Sequence, residues 1–292
     1  MSTFWDIVVN GLAVGAMYAM GTVALSMIWG SLGILNMAHG AILTFGAYAS
    51  YYSATYFGLP WWLGIFAALV AGVIGGAALY FGIIHWIFSR ANAGINTIIA
   101  TVAAGALLEN TATVFFGAQA RPQPFSLEGT VQIADKAVRL QPIAVLVVAA
   151  IITLGTSLIL QRTQFGRNIR AVSQQRTAAA LQGVNVKLVF FQIMIFASVL
   201  SAISGVMLTG MTTIYPTVGA LPTIKALVIC TLAGLGSLWG ATAVAVIFGM
   251  LEVFVQYQFG SRFGFPTILA LAIIILIWRP YGLFGAARVG RV

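Results

Sequence analysis

QRTQFGRNIRAVSQQRTAAALQGVNVK, residues 161–187, is the polar run around which the rest of the chain is arranged. It carries Arg162, Arg167, Arg170, Arg176 and Lys187, has no acidic residue, and lies between two long apolar runs. Lys and Arg are retained on the cytoplasmic side of a membrane, so this run reads as a cytoplasmic loop, residues 161–188. It fixes the direction in which the neighbouring runs cross. It is also the only sizeable surface through which a cytoplasmic partner could act.

The composition supports a membrane reading independently. Of 292 residues, 61% are hydrophobic and 7% charged, with a mean hydropathy of +1.02. A soluble domain carries about a quarter charged residues, so this chain could not cover a water-facing surface. Long unbroken apolar runs favour helices over the alternating ten-residue segments of a barrel. The expected class is therefore all-α: a single polytopic helical bundle over 1–292, with about 8–9 transmembrane segments and a broken or re-entrant element. The net charge of +9 comes from basic residues scattered at helix ends and in one loop, which argues against a nucleic-acid partner and for membrane lipid. Cys230, the only cysteine, lies in an apolar segment and reads as a buried, inert thiol. Asp6 and the lack of a basic n-region argue against a cleaved signal peptide.

Outward from the basic run, apolar segments fall at about 7–28, 41–57, 63–88, 95–116, 142–160, 188–211, 224–238, 241–257 and 263–278. The seventh and ninth are marginal in length. Residues 118–141 form a mixed-charge segment suited to the exterior. With nine crossings and the basic loop inside, nine Lys and Arg fall inside and Arg121, Lys136, Arg139 and Arg262 outside, with Lys225 near a membrane edge. That asymmetry orients the N-terminus out and the C-terminus in. Small residues recur four apart, as in Gly11/Gly15 and Gly72/Gly76, a spacing that lets helix backbones approach closely in lipid. The two halves show no evident repeat, although an inverted one could lie below that threshold.

Few residues could carry chemistry. Asn36 and His39 flank Met37 and Ala38 in a Gly-punctuated break between spans, which reads either as a pathway-lining gate element or as a tight turn capped by Asn36. Glu109 and Glu252 are acids inside apolar runs, where each needs a partner or water: Asn110, Gln256 or a residue of another subunit. The alternative for each is a structural buried hydrogen bond. The translocation-path candidates are thus Asn36, His39, Glu109, Glu252 and Gln256. His39 and His85 lack Cys or carboxylate companions at metal-ligand spacing, so no metal is expected. G-x-S-x-G, H-E-x-x-H and G-x-x-x-x-G-K-[ST] are all missing, which argues against an enzyme and against nucleotide binding by a P-loop. Energy for active transport would have to enter through a partner or an ion gradient. Within the basic run, Arg176, Thr177, Ala178, Ala179, Ala180, Leu181, Gln182 and Gly183 give a helix-forming core closed by a Gly, suited to a short docking helix.

The run GLAVGAMYAMGTVALSMIWGSLGILNMAHGAILTFGAY, residues 11–48, resembles the opening of the branched-chain amino acid-type ABC transporter permease family, most closely its LivH-like subunit. The family's I-N-F-A-H-G stands here as Leu35-Asn36-Met37-Ala38-His39-Gly40. FGRNIRAVSQQRTAAALQGVNV (165–186) resembles its cytoplasmic coupling segment; KALVICTLAGLGSLWGATAVAVIFGMLE (225–252) and RPYGLFG (279–285) resemble its C-terminal signatures. The resemblance implies a non-enzymatic permease subunit in a bacterial inner membrane. It would pair with a LivM-like second permease, two cytoplasmic ATPases carrying ATP and Mg, and a periplasmic or extracytoplasmic solute-binding protein. The segment from Arg176 through Val184 and Asn185 would couple to an ATPase. Ala41 replaces the acid that often follows A-H-G, and the acid usual at the start of the coupling segment is replaced around Gln175 and Arg176. The solute range implied spans branched-chain amino acids, amides, urea and small organic acids. The competing expectation from another class is a self-sufficient channel or ion-gradient-driven carrier.

Overall fold

The computed structural model describes residues 2–87, 93–124, 129–133 and 136–285. The chain runs through α1 (Ser2–Leu32), α2 (His39–Phe57), α3 (Trp61–Leu79), a π-turn at Tyr80–Ile84, α4 (His85–Ile87) and α5 (Ala93–Phe116). Next come β1 (Arg121–Pro122), β2 (Thr130–Ile133), β3 (Lys136–Arg139), α6 (Leu140–Arg162), α7 (Gln164–Gln174) and α8 (Arg176–Leu181). The rest is α9 (Val186–Met211), β4 (Thr213–Ile214), α10 (Ala220–Ala233), α11 (Leu238–Phe259), a 3-10 turn at Ser261–Phe263 and α12 (Gly264–Trp278). The mixed-charge segment holds the hairpin β2–β3, and β1 pairs antiparallel with β4, Arg121 opposite Ile214.

Seven helical segments among the described residues are long and apolar enough to cross a membrane, against the eight or nine expected; the chain is a multi-pass membrane protein. Two of the nine apolar runs fall outside that set for different reasons. The α10 helix has only 14 residues. The α2 helix, with His39 and four tyrosines, is too polar. Yet both are heavily buried, α2 at His39 through Thr44, Gly46 through Tyr48, Ser50 and Ser53. A helix surrounded by protein need not be apolar, because it meets no lipid.

The contacts reveal an arrangement not visible in the sequence. α1 packs on α9, α10 and α11, while α9 packs on α1, α2 and α3; α2 touches α3 and α5, while α10 touches α11 and α12. Exchanging α1, α2, α3 and α5 for α9, α10, α11 and α12 reproduces the pattern. The two sets run in opposite directions. Arg176 Nη2 donates to Leu32 O (2.6 Å), setting the end of α1 beside the start of α9, while Asp6 and Asn10 share a cavity with Met211 at the opposite end. This is an inverted-topology repeat of the kind found in transport proteins.

Glycine makes both long crossings possible. A Cβ on Gly249 of α11 would lie 2.3 Å from Gly15 Cα, and one on Gly11 2.9 Å from Met250 Cα. In the matching crossing, a Cβ on Gly72 would lie 2.7 Å from Val199 Cα and one on Gly76 2.9 Å from Ile195 Cα. The small-residue spacing thus marks backbone contacts of α1 with α11 and α3 with α9. Apolar side chains gain nothing by leaving lipid for each other, so close dispersion contact between backbones is the main attraction left.

At the basic end, α10 stops at Gly234 (φ 94°), and its last carbonyls are capped from elsewhere. Leu283 N donates to Leu232 O (2.7 Å) and Phe284 N to Ala233 O (3.1 Å). The Gly-rich segments 233–240 and 279–285 interlock here.

Gly249→Leu should lower the detergent melting temperature by the equivalent of about 1–3 kcal/mol, the usual cost of overpacking. Gly155→Leu on α6, where a Cβ would meet nothing within 4 Å, should leave it unchanged. Equal effects in a thermal-shift series would contradict the crossing geometry.

Candidate functional site

The chain between α1 and α2 turns back into the bundle before α2 begins. Asn36 Oδ1 accepts from Ala38 N (3.1 Å), an Asx turn, and Met37 N donates to Thr101 Oγ1 (3.1 Å). His39 then sits in mid-bundle, where a Cβ on Gly21 of α1 would lie 3.5 Å from its Nε2. Here α2 and α10 meet nose to nose. A Cβ on Gly40 would lie 2.4 Å from Gly219 O, and one on Gly219 1.9 Å from Gly40 O. Gly219 N donates to Thr44 Oγ1 (3.1 Å), which itself donates to Gly40 O (3.0 Å); Thr223 Oγ1 donates to Gly219 O (2.8 Å). Ser201 Oγ of α9 donates to His39 O (2.8 Å). Asn36 and His39 therefore build a junction of two discontinuous helices, and Asn36 does its work as a turn cap.

One and a half turns into α10, Lys225 meets Glu252 of α11. Its Nζ donates to Glu252 Oε1 (2.6 Å) and to the Tyr18 hydroxyl of α1 (2.7 Å). Tyr18 in turn donates to Glu252 Oε2 (2.8 Å), and Gln256 Nε2 donates to Glu252 Oε1 (3.0 Å). The two charged side chains are 9% and 3% exposed, so the pair is withdrawn from solvent. Lys225, placed near a membrane edge by the charge count, is instead the counter-ion of Glu252. Gln256 was foreseen as a partner; Lys225 and Tyr18 were not. An intramembrane cation in the run preceding that of an intramembrane acid is the signal that could have found the pair.

The network forms one wall of a cavity of about 300 Å³ among α1, α9, α10 and α11, otherwise lined mostly by aliphatic side chains such as Val14, Met17, Leu208, Met211 and Leu221. A cavity of about 550 Å³ with Asp6, Asn10 and Arg139 in its wall shares Val14, Met211 and Gln256, and continues it toward the end opposite the basic run. Glu109 is elsewhere. It is half-buried on α5, beside the exposed Asn110, whose amide donates to Ala106 O within its own helix. The five path candidates are thus split among three places: the helix junction, the ion-pair cavity and the flank of α5.

At the basic end, α7 is amphipathic and buries Gly166, Ile169 and Val172 against the bundle. Thr163 caps it, and a Cβ on Gly166 would collide with Leu160 O, so α6 turns sharply into α7. α8 buries only Ala179 and closes in a Schellman turn: Gly183 N donates to Ala180 O (3.0 Å), Val184 N to Ala179 O (3.0 Å), and Gly183 takes φ 83°. Asn185 caps α9 by accepting from Leu188 N (3.1 Å). Thr177, Ala178, Ala180, Gln182 and Gly183 are exposed, and Leu181 is 84% exposed. Arg176 differs from them. Its guanidinium reaches Leu32 O, lies 5.4 Å above the Phe190 ring, and has its pKa lowered by partial burial. It anchors the segment, while the others form its free face.

Comparison with known proteins identifies the family. The family model described as "Branched-chain amino acid transport system / permease component" matches residues 7–278. The high-affinity branched-chain amino acid transport system permease protein BraD of Pseudomonas aeruginosa is 27% identical, covering 97% of this chain and 96% of that one. The corresponding protein LivH of Salmonella typhimurium is 23% identical over the same shares. Among solved structures, PsaBC from Streptococcus pneumoniae in complex with Fab covers 91% of this chain and 90% of its own at 20% identity, with a TM-score of 0.49.

Removing one member of the pair leaves a buried charge. Lys225→Met should cost about 3–5 kcal/mol of stability, and Lys225→Met combined with Glu252→Leu should recover most of it. Thermal melts of the single and double variants in detergent measure this; a double variant no better than the single would contradict the pairing.

Proposed function

Because the chain belongs to the family of branched-chain amino acid transport system permease components, we propose that it is the membrane-spanning permease subunit of an ABC importer in a bacterial inner membrane. Its solute is a small amino acid-like compound, with branched-chain amino acids first and amides, urea and small organic acids as the wider range. It supplies no covalent chemistry. A related LivM-like permease pairs with it, two cytoplasmic ATPases hold the ATP and Mg, and a solute-binding protein delivers cargo at the opposite face.

The observation that carries this reading is the build of the basic end. α8 presents a bare, mostly small face headed by Leu181, while Arg176 fastens it to the end of α1 and Asn185 starts α9 directly from it. A force applied to α8 by an ATPase groove is passed to α1 and α9, the first helix of each half of the inverted repeat. Movement of these helices relative to each other changes access to the cavity between them. This is rigid-body rocking of one repeat against the other.

Leu181→Asp, or deletion of 178–183, should lower ATP-driven uptake in proteoliposomes about ten-fold or more while membrane insertion is unchanged, as for loss of a central interface anchor. Unaltered uptake would sink the docking role. Solute movement by the purified chain alone, without ATPases, would favour a self-sufficient channel or carrier.

A further inference from the structure

Arg170 of α7 has no carboxylate beside it among the described residues, and the basic run that carries it holds no acid at all. Its guanidinium donates from Nη1 to Leu160 O, which leaves most of its five N–H groups for another acceptor. Arg170 lines a cavity of about 290 Å³ at the basic end, among α1, α6, α7 and α11.

The other walls of that cavity are built to receive an anion. Leu238 and Trp239 line it and head α11, where the first amides of a helix have no carbonyl a turn behind them and the helix dipole favours negative charge. Ser26 of α1 lies in the wall and is fully buried. Its hydroxyl makes no hydrogen bond among the described residues beyond a contact with the Cys230 thiol, which is a weak partner. A buried hydroxyl left in this way is costly unless something else bonds it.

An apolar cleft of about 60 Å³ continues the cavity and shares Ser157, Leu160, Leu238 and Trp239 with it. It runs between α6 and α11 as far as Thr153, about two and a half turns from the end of α6, with Val23 of α1 at its back. Leu154 and Trp239 at its rim are exposed, on a surface that meets lipid in a membrane. A free anion would fill the cavity and leave the cleft empty, and a hydrocarbon would do the reverse. An amphiphile with an anionic head fills both.

We propose that cavity and cleft together bind one anionic phospholipid of the leaflet on the basic side. Its phosphate lies at Arg170 and the first turn of α11, and one acyl chain lies between α6 and α11. A zwitterionic lipid offers the same phosphate but brings a cation toward Arg170, Arg162 and Arg167, so net negative charge decides the preference. The bound lipid touches α7 and α1 at once and so ties the basic run to the bundle. None of this depends on the importer reading.

The test is mass spectrometry of the intact full chain released from neutral detergent, titrated with phosphatidylglycerol and with phosphatidylcholine of the same tails. Phosphatidylglycerol should bind about ten-fold more tightly, as for one charge-assisted contact. Arg170→Gln should remove that preference, while Arg167→Gln, on the same helix but outside the cavity wall, should keep it. Inorganic phosphate in large excess should not displace the lipid, and phosphatidylglycerol with brominated tails should quench wild-type fluorescence more than that of Trp239→Phe. Equal binding of the two lipids, or quenching unchanged by Trp239→Phe, would overturn the proposal even if Arg170→Gln does not fold. Equal loss in the two arginine variants would reduce the effect to general attraction by a basic surface, and displacement by phosphate would make this a site for a free anion; either result overturns the lipid assignment.

Discussion

The structure depends on the contact between Gly40 and Gly219. Two helices begin there, one running toward each end of the molecule, and neither position has space for a single methyl group. Helix N-termini leave backbone donors without intrahelical partners, and two such ends placed together in a low-dielectric interior must be satisfied locally. Thr44 meets this need by accepting from Gly219 N, and Thr44, Thr223 and Ser201 bond the carbonyls of Gly40, Gly219 and His39. The chain can therefore hold two discontinuous helices in its centre, with the full-length helices α1, α3, α9 and α11 packed around them.

Polarity consequently rises toward the middle of the bundle, the reverse of a soluble domain. The ion pair, the Asx turn at Asn36 and the threonine contacts all lie on or against α2 and α10. The outer helices α5, α6 and α12 turn apolar side chains such as Ile99, Ile151 and Ile273 outward. A third cavity, of about 290 Å³, lies at the basic end among α1, α6, α7 and α11, with Ser26, Gln161 and Arg170 in its wall. α1 lines both this cavity and the one beside Glu252, which makes it the element shared by the two ends of the molecule.

Much of this was legible in residue order. Each of the nine apolar runs lies on helical structure, the third on α3, its π-turn and α4 together, and Gly183 ends α8 because only glycine takes its left-handed turn without strain. Gly11/Gly15 and Gly72/Gly76 marked real crossings, since a small-residue spacing has few other uses inside an apolar run. The inverted repeat was not legible. Its two halves share contacts and direction, which different side chains can satisfy, and a clear sequence trace is limited to Gly-x-x-x-Thr at 40–44 and 219–223. Lys225 was missed because a charge count treats every lysine as a surface marker, whereas this one is neutralised by a residue in the next helix. Glu109 and Glu252 look alike in sequence, each an acid amid apolar neighbours. What separates them is which face of the helix is covered, and that depends on the packing of the whole bundle.

The capping of α10 by Leu283 and Phe284 has a consequence for biosynthesis. The last turn of any helix leaves carbonyls without partners, and those of Leu232 and Ala233 receive theirs from a segment translated only after α11 and α12. On the ribosome, α10 thus waits for its final two hydrogen bonds until the segment after α12 has emerged. The N-terminal repeat faces no such delay: its own half-length helix, α2, ends at Gly58 in a left-handed turn whose amide bonds back to Ser53 O within the same stretch of chain. The C-terminal end of α2 is thus closed within its own stretch of chain, whereas that of α10 is closed by its own downstream tail.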